Sequence, residues 1–70
     1  MTSERLLHLH QASPFRHFII HLADRRALGV DHPELLTYQR NSRTAVVYAS
    51  DSSAHTIDLL LVTGLEVLLA

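Results

Sequence analysis

Six histidines are the side chains of this sequence that most invite a metal site, yet their spacing argues against one. His17 and His21 are four residues apart, which places two ligands on one face of a helix. On a strand the same spacing spans about 13 Å, too far for a single metal ion to bridge. His8 and His10 point in different directions on a helix, and no acid or cysteine completes a ligand set. We therefore predict no metal and no cofactor.

Hydroxyl, carboxylate and imidazole groups also gather between residues 50 and 55, in the order that hydrolytic catalysis could use. The residues are Ser50, Asp51, Ser52, Ser53 and His55. The segment lacks the Gly-x-Ser-x-Gly elbow of serine hydrolases. Serine and aspartate between two strands are common turn residues. We predict no catalytic residue and a non-enzymatic protein.

The tripeptide His32-Pro33-Glu34 is a polar spot with two interpretations. It could display a partner contact on a loop. The structural interpretation, which we favour, is that Pro33 starts a turn, Glu34 favours its N-terminus and His32 bonds a nearby carbonyl.

All six basic residues are arginines, and four of them fall in two predicted loops. Arg25 and Arg26 lie in one loop, Arg40 and Arg43 in the other, and the two loops could be neighbours. Arginine forks suit phosphate, so nucleic acid is a possible partner. The net charge of −1 and the presence of only two Phe and two Tyr favour a solvated arginine face instead.

The length and composition favour association. A 70-residue chain without cysteine has no disulfide to supplement a small core. Its 47% hydrophobic content is enough to cover an interface as well as a core. The first fourteen residues lack the uninterrupted apolar stretch of a secretory signal, so we expect a cytoplasmic protein.

The segment IDLLLVTGLEVLLA, residues 57–70, is the most apolar part of the chain. Asp58 and Glu66 within it, together with its length, argue against a membrane span. Gly64 and several β-branched residues disfavour a helix. We predict two strands, residues 57–62 and 65–69, joined by a sharp bend at Thr63-Gly64.

Alternation along these strands predicts which side chains need a cover. Ile57, Leu59 and Leu61 would face one way, and Asp58, Leu60 and Val62 the other. Since a small domain has one interior, Leu60, Val62 and Leu68 are the predicted subunit interface of a homo-oligomer. We expect Asp58 to face solvent or to pair with an arginine.

Upstream, residues 3–12 read as a helix with Ser3 as N-cap and Pro14 preventing its continuation. Residues 14–23 fit a helix or a strand by periodicity. In the strand interpretation, Asp24-Arg25 turns the chain into a return strand over residues 26–31. A helical turn at Pro33, a strand over 44–49 and a turn over 50–53 complete the order.

The runs PFRHFIIHLADRRALGVDHPELL, RTAVVY and IDLLLVTGLEVL resemble a small bacterial family with no assigned activity. The resemblance covers residues 14–69. Members typically carry a second proline at the place of His17 and glycine at the place of Arg25, which implies a hairpin there rather than a helix. This sequence departs from the pattern at Arg25 and Ser52, where turn glycines are typical.

The order of elements is similar to that of Sm-like and SH3-like barrels. We therefore predict a mainly β (α+β) single domain over residues 1–70, with helix 3–12 followed by a five-stranded, strongly bent small barrel over 14–69. The function predicted first is a non-enzymatic interaction module that self-associates, away from membranes. The alternative is an Sm-like RNA-binding protein that uses the arginine loops.

Overall fold

The computed structural model of the protein describes residues 3–38, 42–49 and 51–68. These residues form one short helix and six strands, so the predicted mainly β class with an N-terminal helix is confirmed. The elements are α1 Ser3–His10, β1 Phe18–Leu22, β2 Ala27–Val30, β3 Leu36–Tyr38, β4 Thr44–Tyr48, β5 Ala54–Asp58 and β6 Val62–Val67. Two 3₁₀ turns, η1 Pro33–Leu35 and η2 Leu59–Leu61, separate β2 from β3 and β5 from β6. No helix among the described residues has the length and apolarity to cross a bilayer.

The strands form two antiparallel three-stranded sheets, in the orders β2-β1-β6 and β3-β4-β5. This differs from the predicted single set of five strands, and neither sheet closes into a barrel. The extra strand is β3, Leu36–Tyr38, where no strand was predicted. Its first residue, Leu36, lies opposite Val47 and is buried.

The segment that periodicity left open between helix and strand is a strand over β1. Phe18, Ile20 and Leu22 are buried, while Ile19 and His21 between them are partly exposed. This alternation lets one face of β1 enter the core and leaves the other face toward solvent. The hairpin that follows has Leu22 N–H donating to the Arg26 carbonyl at 2.9 Å.

One hydrophobic core lies between the two sheets and the helix. It contains Leu6, Phe18, Ile20, Leu22, Val30, Leu36, Ala45, Val47, Ile57, Leu59 and Val62. Leu6 is the helix residue in this set, and Leu9 packs against it from the next turn. The helix ends at His10, two residues before the predicted end, and the side chain of its predicted N-cap Ser3 lies outside the described part.

The predicted bend of the C-terminal segment at Thr63-Gly64 is wrong. β6 runs through both residues, and Gly64 does not have a positive φ angle. The chain changes direction at η2 instead, where Asp58 Oδ1 accepts a hydrogen bond from Leu60 N–H at 2.9 Å. β5 and β6 consequently pair with β4 and β1 rather than with each other.

Two tight turns place non-glycine residues in the left-handed region of backbone conformation. Arg25 has a φ of 73° and Ser52 a φ of 71°. These are the two positions where the resembled family pattern carries glycine. In the first turn Asp24 Oδ1 accepts from Arg26 N–H at 3.1 Å, which holds the turn closed.

Candidate functional site

The two arginine-bearing loops lie on either side of η2. Ala23, at the start of the β1–β2 turn, donates its N–H to the Leu61 carbonyl at 2.8 Å. From the other side, Leu59 N–H donates to the carbonyl of Arg43, at the end of the β3–β4 loop, at 2.7 Å. Each loop is therefore bonded to η2, one at Leu61 and the other at Leu59. Of the predicted contact residues, Arg25, Arg26 and Arg43 lie here, while Arg40 lies outside the described residues.

Two of these arginines are paired with carboxylates, Arg26 within its own turn and Arg43 with a residue of β5. Arg26 Nε lies 2.7 Å from Asp24 Oδ2, and Arg43 Nη2 lies 2.7 Å from Asp58 Oδ2. The pKa of Asp24 is lowered, chiefly because its carboxylate accepts the Arg26 backbone N–H. In turn, the Asp58 carboxylate raises the pKa of the Arg43 guanidinium. Ion pairing thus offsets part of the positive charge that phosphate binding would need.

Asp58 behaves as the sequence predicted, because it pairs with an arginine. The hydrogen bond from Arg43 is the main reason that the pKa of Asp58 is lowered, and the Leu60 N–H lowers it further. Partial burial acts in the opposite direction. One carboxylate therefore ties the β3–β4 loop to the start of η2.

The predicted apolar interface divides into exposed and buried members. Leu60 is 72% exposed and Leu68 39% exposed. Val62 is 4% exposed and belongs to the core, so its assignment to the interface is corrected. The physical reason is η2. Its three residues do not alternate between two faces as strand residues do, so β6 begins with Val62 on the buried face. For the same reason Leu61 is 44% exposed, although strand alternation predicted that it would be buried.

Leu60 and Leu68 lie near opposite ends of β6 rather than side by side. Six strand residues at about 3.3 Å each separate them by roughly 20 Å. Between them runs one edge of the first sheet, because within residues 3–38, 42–49 and 51–68 β6 pairs with β1 alone. Leu68 N–H donates to the His17 carbonyl at 2.9 Å, and this register directs the backbone groups of Leu65 and Val67 away from β1.

The His32-Pro33-Glu34 loop carries a helix contact that the sequence did not reveal. His10 Nε2, at the end of α1, bonds the Pro33 carbonyl at 2.7 Å. Pro33 starts η1 as predicted. The predicted carbonyl bond therefore comes from His10, whereas the His32 ring lies edge-on to that of His17, with centroids 6.4 Å apart.

The histidines do not assemble into a metal site. His21 Nε2 lies 3.0 Å from Glu66 Oε1 across β1 and β6, and His17 Nδ1 lies 3.9 Å from Asp31 Oδ1 beyond the other end of β1. Across residues 3–38, 42–49 and 51–68, no three metal-ligating side chains are grouped closely enough to hold an ion. His21–Glu66 is a cross-strand pair, and both contacts lie on exposed surfaces.

The hydroxyl, carboxylate and imidazole cluster forms a turn. Ser53 Oγ donates to Asp51 Oδ1 and lies 3.2 Å from His55 Nε2. The Ser53 hydroxyl is the main cause of the lowered pKa of Asp51. In a Ser-His-Asp catalytic triad the carboxylate orients the histidine, and the histidine takes the proton of the serine hydroxyl. Here the carboxylate holds the hydroxyl itself and also accepts Ser53 N–H at 3.0 Å, as in an Asx turn. Ser50 lies outside the described residues.

The comparisons with known proteins add no relative. No family model matches the chain, and neither the curated proteins nor the solved structures contain a match. The resemblance drawn from residues 14–69 stays a prediction. The case for a function therefore rests on the geometry of the arginine loops, η2 and the free edge of β6.

Proposed function

We infer that the two sheets are the halves of one strongly bent barrel of the Sm-like or SH3-like type. The support is that the chain crosses between the sheets on both flanks, through residues 31–35 and through η2. Both sheets also contribute to a single core. A fold of this kind hosts many functions, so the activity must be argued from the surface.

We propose that the protein is a non-enzymatic interaction module that self-associates through residues 59–68, called here the C-terminal edge. The observation that carries the proposal is the placement of three exposed leucines along one free strand edge. Leu60 and Leu61 stand at one end of β6 and Leu68 at the other. Exposed apolar side chains beside unpaired backbone groups favour association with another chain.

The C-terminal edge carries little of the protection that proteins give to free strands. Residues 59–68 contain no lysine and no proline, the residues that most often block edge pairing. Their one charged residue, Glu66, is engaged with His21 of the adjacent strand at 3.0 Å. Its carboxylate therefore has a polar contact within the same sheet.

A second copy fits this edge because the exposed leucines lie at its two ends. In an antiparallel pairing about a two-fold axis, the start of one β6 meets the end of the other. That arrangement brings Leu60 and Leu61 of one copy toward Leu68 of its partner. The backbone groups of Leu65 and Val67, which point away from β1, would supply the hydrogen bonds between copies.

Sedimentation velocity over a range of protein concentrations tests the proposal. The unmodified protein should sediment at twice the chain mass of 7.9 kDa or more. A variant with Leu60→Glu and Leu68→Glu should remain folded and sediment as the single chain. Tyr48→Glu is the matched control, because Tyr48 is 46% exposed but lies on β4. A compact monomer of the unmodified protein at every concentration would refute self-association, as would equal dissociation of the control.

Nucleic-acid binding by the arginine loops is the second candidate. It is favoured by the position of Arg25 and Arg43 on either side of η2, and weakened by the carboxylates that pair with Arg26 and Arg43. Fluorescence anisotropy with labelled single-stranded RNA and DNA at two salt concentrations tests it. Binding that weakens steeply with salt and is reduced by Arg25→Ala would support it. No binding at low salt eliminates it.

A further inference from the structure

A groove lies between β2 and the end of β4. In the sheet order β2-β1-β6, β2 is at the opposite edge from β6. The cavity volume of the groove is about 220 Å³. Ala27, Gly29 and Asp31 line one side, and Tyr48 and Ala49 line the other. Like β6, β2 is an edge strand of the sheet that the described residues form, in which it pairs with β1 alone.

The backbone of β2 points hydrogen-bonding groups into this groove. Leu22 N–H bonds the Arg26 carbonyl at 2.9 Å, which fixes the alternation of the β1–β2 ladder. In an antiparallel ladder, every second residue directs its N–H and C=O away from the partner strand. For β2 those residues are Ala27, Gly29 and the following Asp31. All three line the groove.

The facing wall is formed by Tyr48 and Ala49 at the end of β4. Ala49 N–H bonds the Ser53 carbonyl at 2.8 Å, so the groups of Ala49 point toward the β5 side. By alternation those of Tyr48 point toward the β3 side, where Leu35 precedes the Leu36–Val47 pair and also lines the groove. The strand-pairing groups that the proposal uses are therefore those of β2.

We propose that this groove binds an extended peptide segment of a partner protein, which adds to β2 as a further strand and places a basic side chain beside Asp31. The small side chains of Ala27 and Gly29 leave the β2 backbone accessible. The Asp31 side chain is 62% exposed and lies 3.9 Å from His17 Nδ1, and the described residues that line the groove include no lysine or arginine. In the proposed complex the same cation would contact the side chain of Tyr48, a residue that is 46% exposed and lines the facing wall. Backbone pairing with charge selection is the recognition mode of strand addition.

The first test is titration of ¹⁵N-labelled protein with two capped pentapeptides, Thr-Val-Arg-Val-Thr and Thr-Val-Glu-Val-Thr. The arginine peptide should shift the amide signals of Ala27, Gly29 and Tyr48 in a saturable way. The glutamate peptide should bind about tenfold more weakly, since it meets Asp31 with like charge. Equal binding of both peptides, or shifts confined to other parts of the protein, would overturn the proposal.

Gly29 provides a matched pair of variants. Gly29→Pro removes an N–H that points into the groove and leaves the β1 ladder intact, as proline on edge strands does. It should weaken the arginine peptide about tenfold, the effect of roughly one hydrogen bond. Gly29→Ala keeps that N–H, and its new Cβ would lie 4.0 Å from Asp31 Oδ1, an ordinary contact. It should bind nearly as the unmodified protein does, and unchanged binding by the folded proline variant would contradict the proposal.

Two further measurements keep the proposal testable if Gly29→Pro does not fold or if the protein self-associates. If Gly29→Pro fails to fold, Asp31→Asn replaces it and should abolish the preference for the arginine peptide. A retained preference would overturn the assignment of Asp31.

Dilution of the protein without peptide separates this groove from self-association. The amide signals of Leu65 and Val67 should shift on dilution, and those of Ala27 and Gly29 should not. Movement of the β2 amides on dilution would assign the groove to a second copy and overturn the proposal.

Discussion

Leu6 is the side chain on which docking of helix α1 depends most. It is fully buried, and it is the helix's contribution to the core. α1 spans the eight residues Ser3–His10, too short for a helix to be stable by itself in water. Leu6→Ala should therefore release the helix or leave a cavity beneath it.

The expected cost can be set against the stability of a domain of this size. Truncation of a buried leucine to alanine costs about 2–5 kcal/mol. A 70-residue chain has a free energy of unfolding of about 3.5–10 kcal/mol, from about 0.05–0.15 kcal/mol per residue. Leu6→Ala should thus remove a large fraction of the stability and lower the Tm by about 10 °C or more.

Urea denaturation followed by circular dichroism measures this cost. All variants are compared at one protein concentration, because self-association makes the midpoint depend on concentration. Leu7→Ala is the matched control, since it makes the same change in the same helix at a residue that is only partly buried. It should cost less than about 1 kcal/mol, in keeping with incomplete burial. Equal costs for Leu6→Ala and Leu7→Ala would refute the idea that α1 is held through Leu6.

Three further predictions follow from single contacts. The pKa of Asp58 is lowered from its ordinary 3.8, so its ion pair stabilises the fold above that pH, and the stabilisation is lost as pH falls through the folded value. When the pH is lowered from about 5 to about 2, the urea midpoint of Asp58→Asn should therefore fall less than that of the unmodified protein. An equal fall of the two midpoints would contradict this. Arg25→Gly should raise the free energy of unfolding by about 0.5–1 kcal/mol, because glycine relieves the left-handed strain but loses more backbone entropy; a lower Tm would argue against strain. His10→Ala should cost about 0.5–1.5 kcal/mol in thermal unfolding through its lost bond to Pro33, with the exposed His8→Ala as a near-neutral control.

The sequence was informative where residue type and alternation agree. The strand over residues 44–49 needed no tertiary information, because TAVVYA is β-branched and apolar and is bounded by polar turns. Asp58 was placed correctly because a carboxylate in an apolar strand must find a partner. The hairpin over β1 and β2 was not decided by periodicity, since helical and strand spacing both fitted residues 14–23.

The C-terminal segment misled because a glycine was taken as the place where the chain bends. Gly64 continues β6, and the bend comes five residues earlier, where Asp58 caps Leu60. Aspartate is a favoured N-cap residue, so Asp58 directly before three leucines is a local signal that could have located η2. The groove at Tyr48 has no comparable signal, because it depends on how two sheets pack.

Because β1 pairs with β6, the first sheet cannot be completed until β6 has been synthesised. β1 meets β2 across a tight turn, but Leu22 lies opposite Val62 from the far end of the chain. Closing a loop of about 40 residues costs at least about 3 kcal/mol of chain entropy. On a ribosome that adds about 5–20 residues per second, β1 waits about 2–8 s for β6. During that interval the first sheet is a two-stranded hairpin, marginally stable at best. The proposed interface lies on β6, so it cannot form before that strand has been made and has paired with β1.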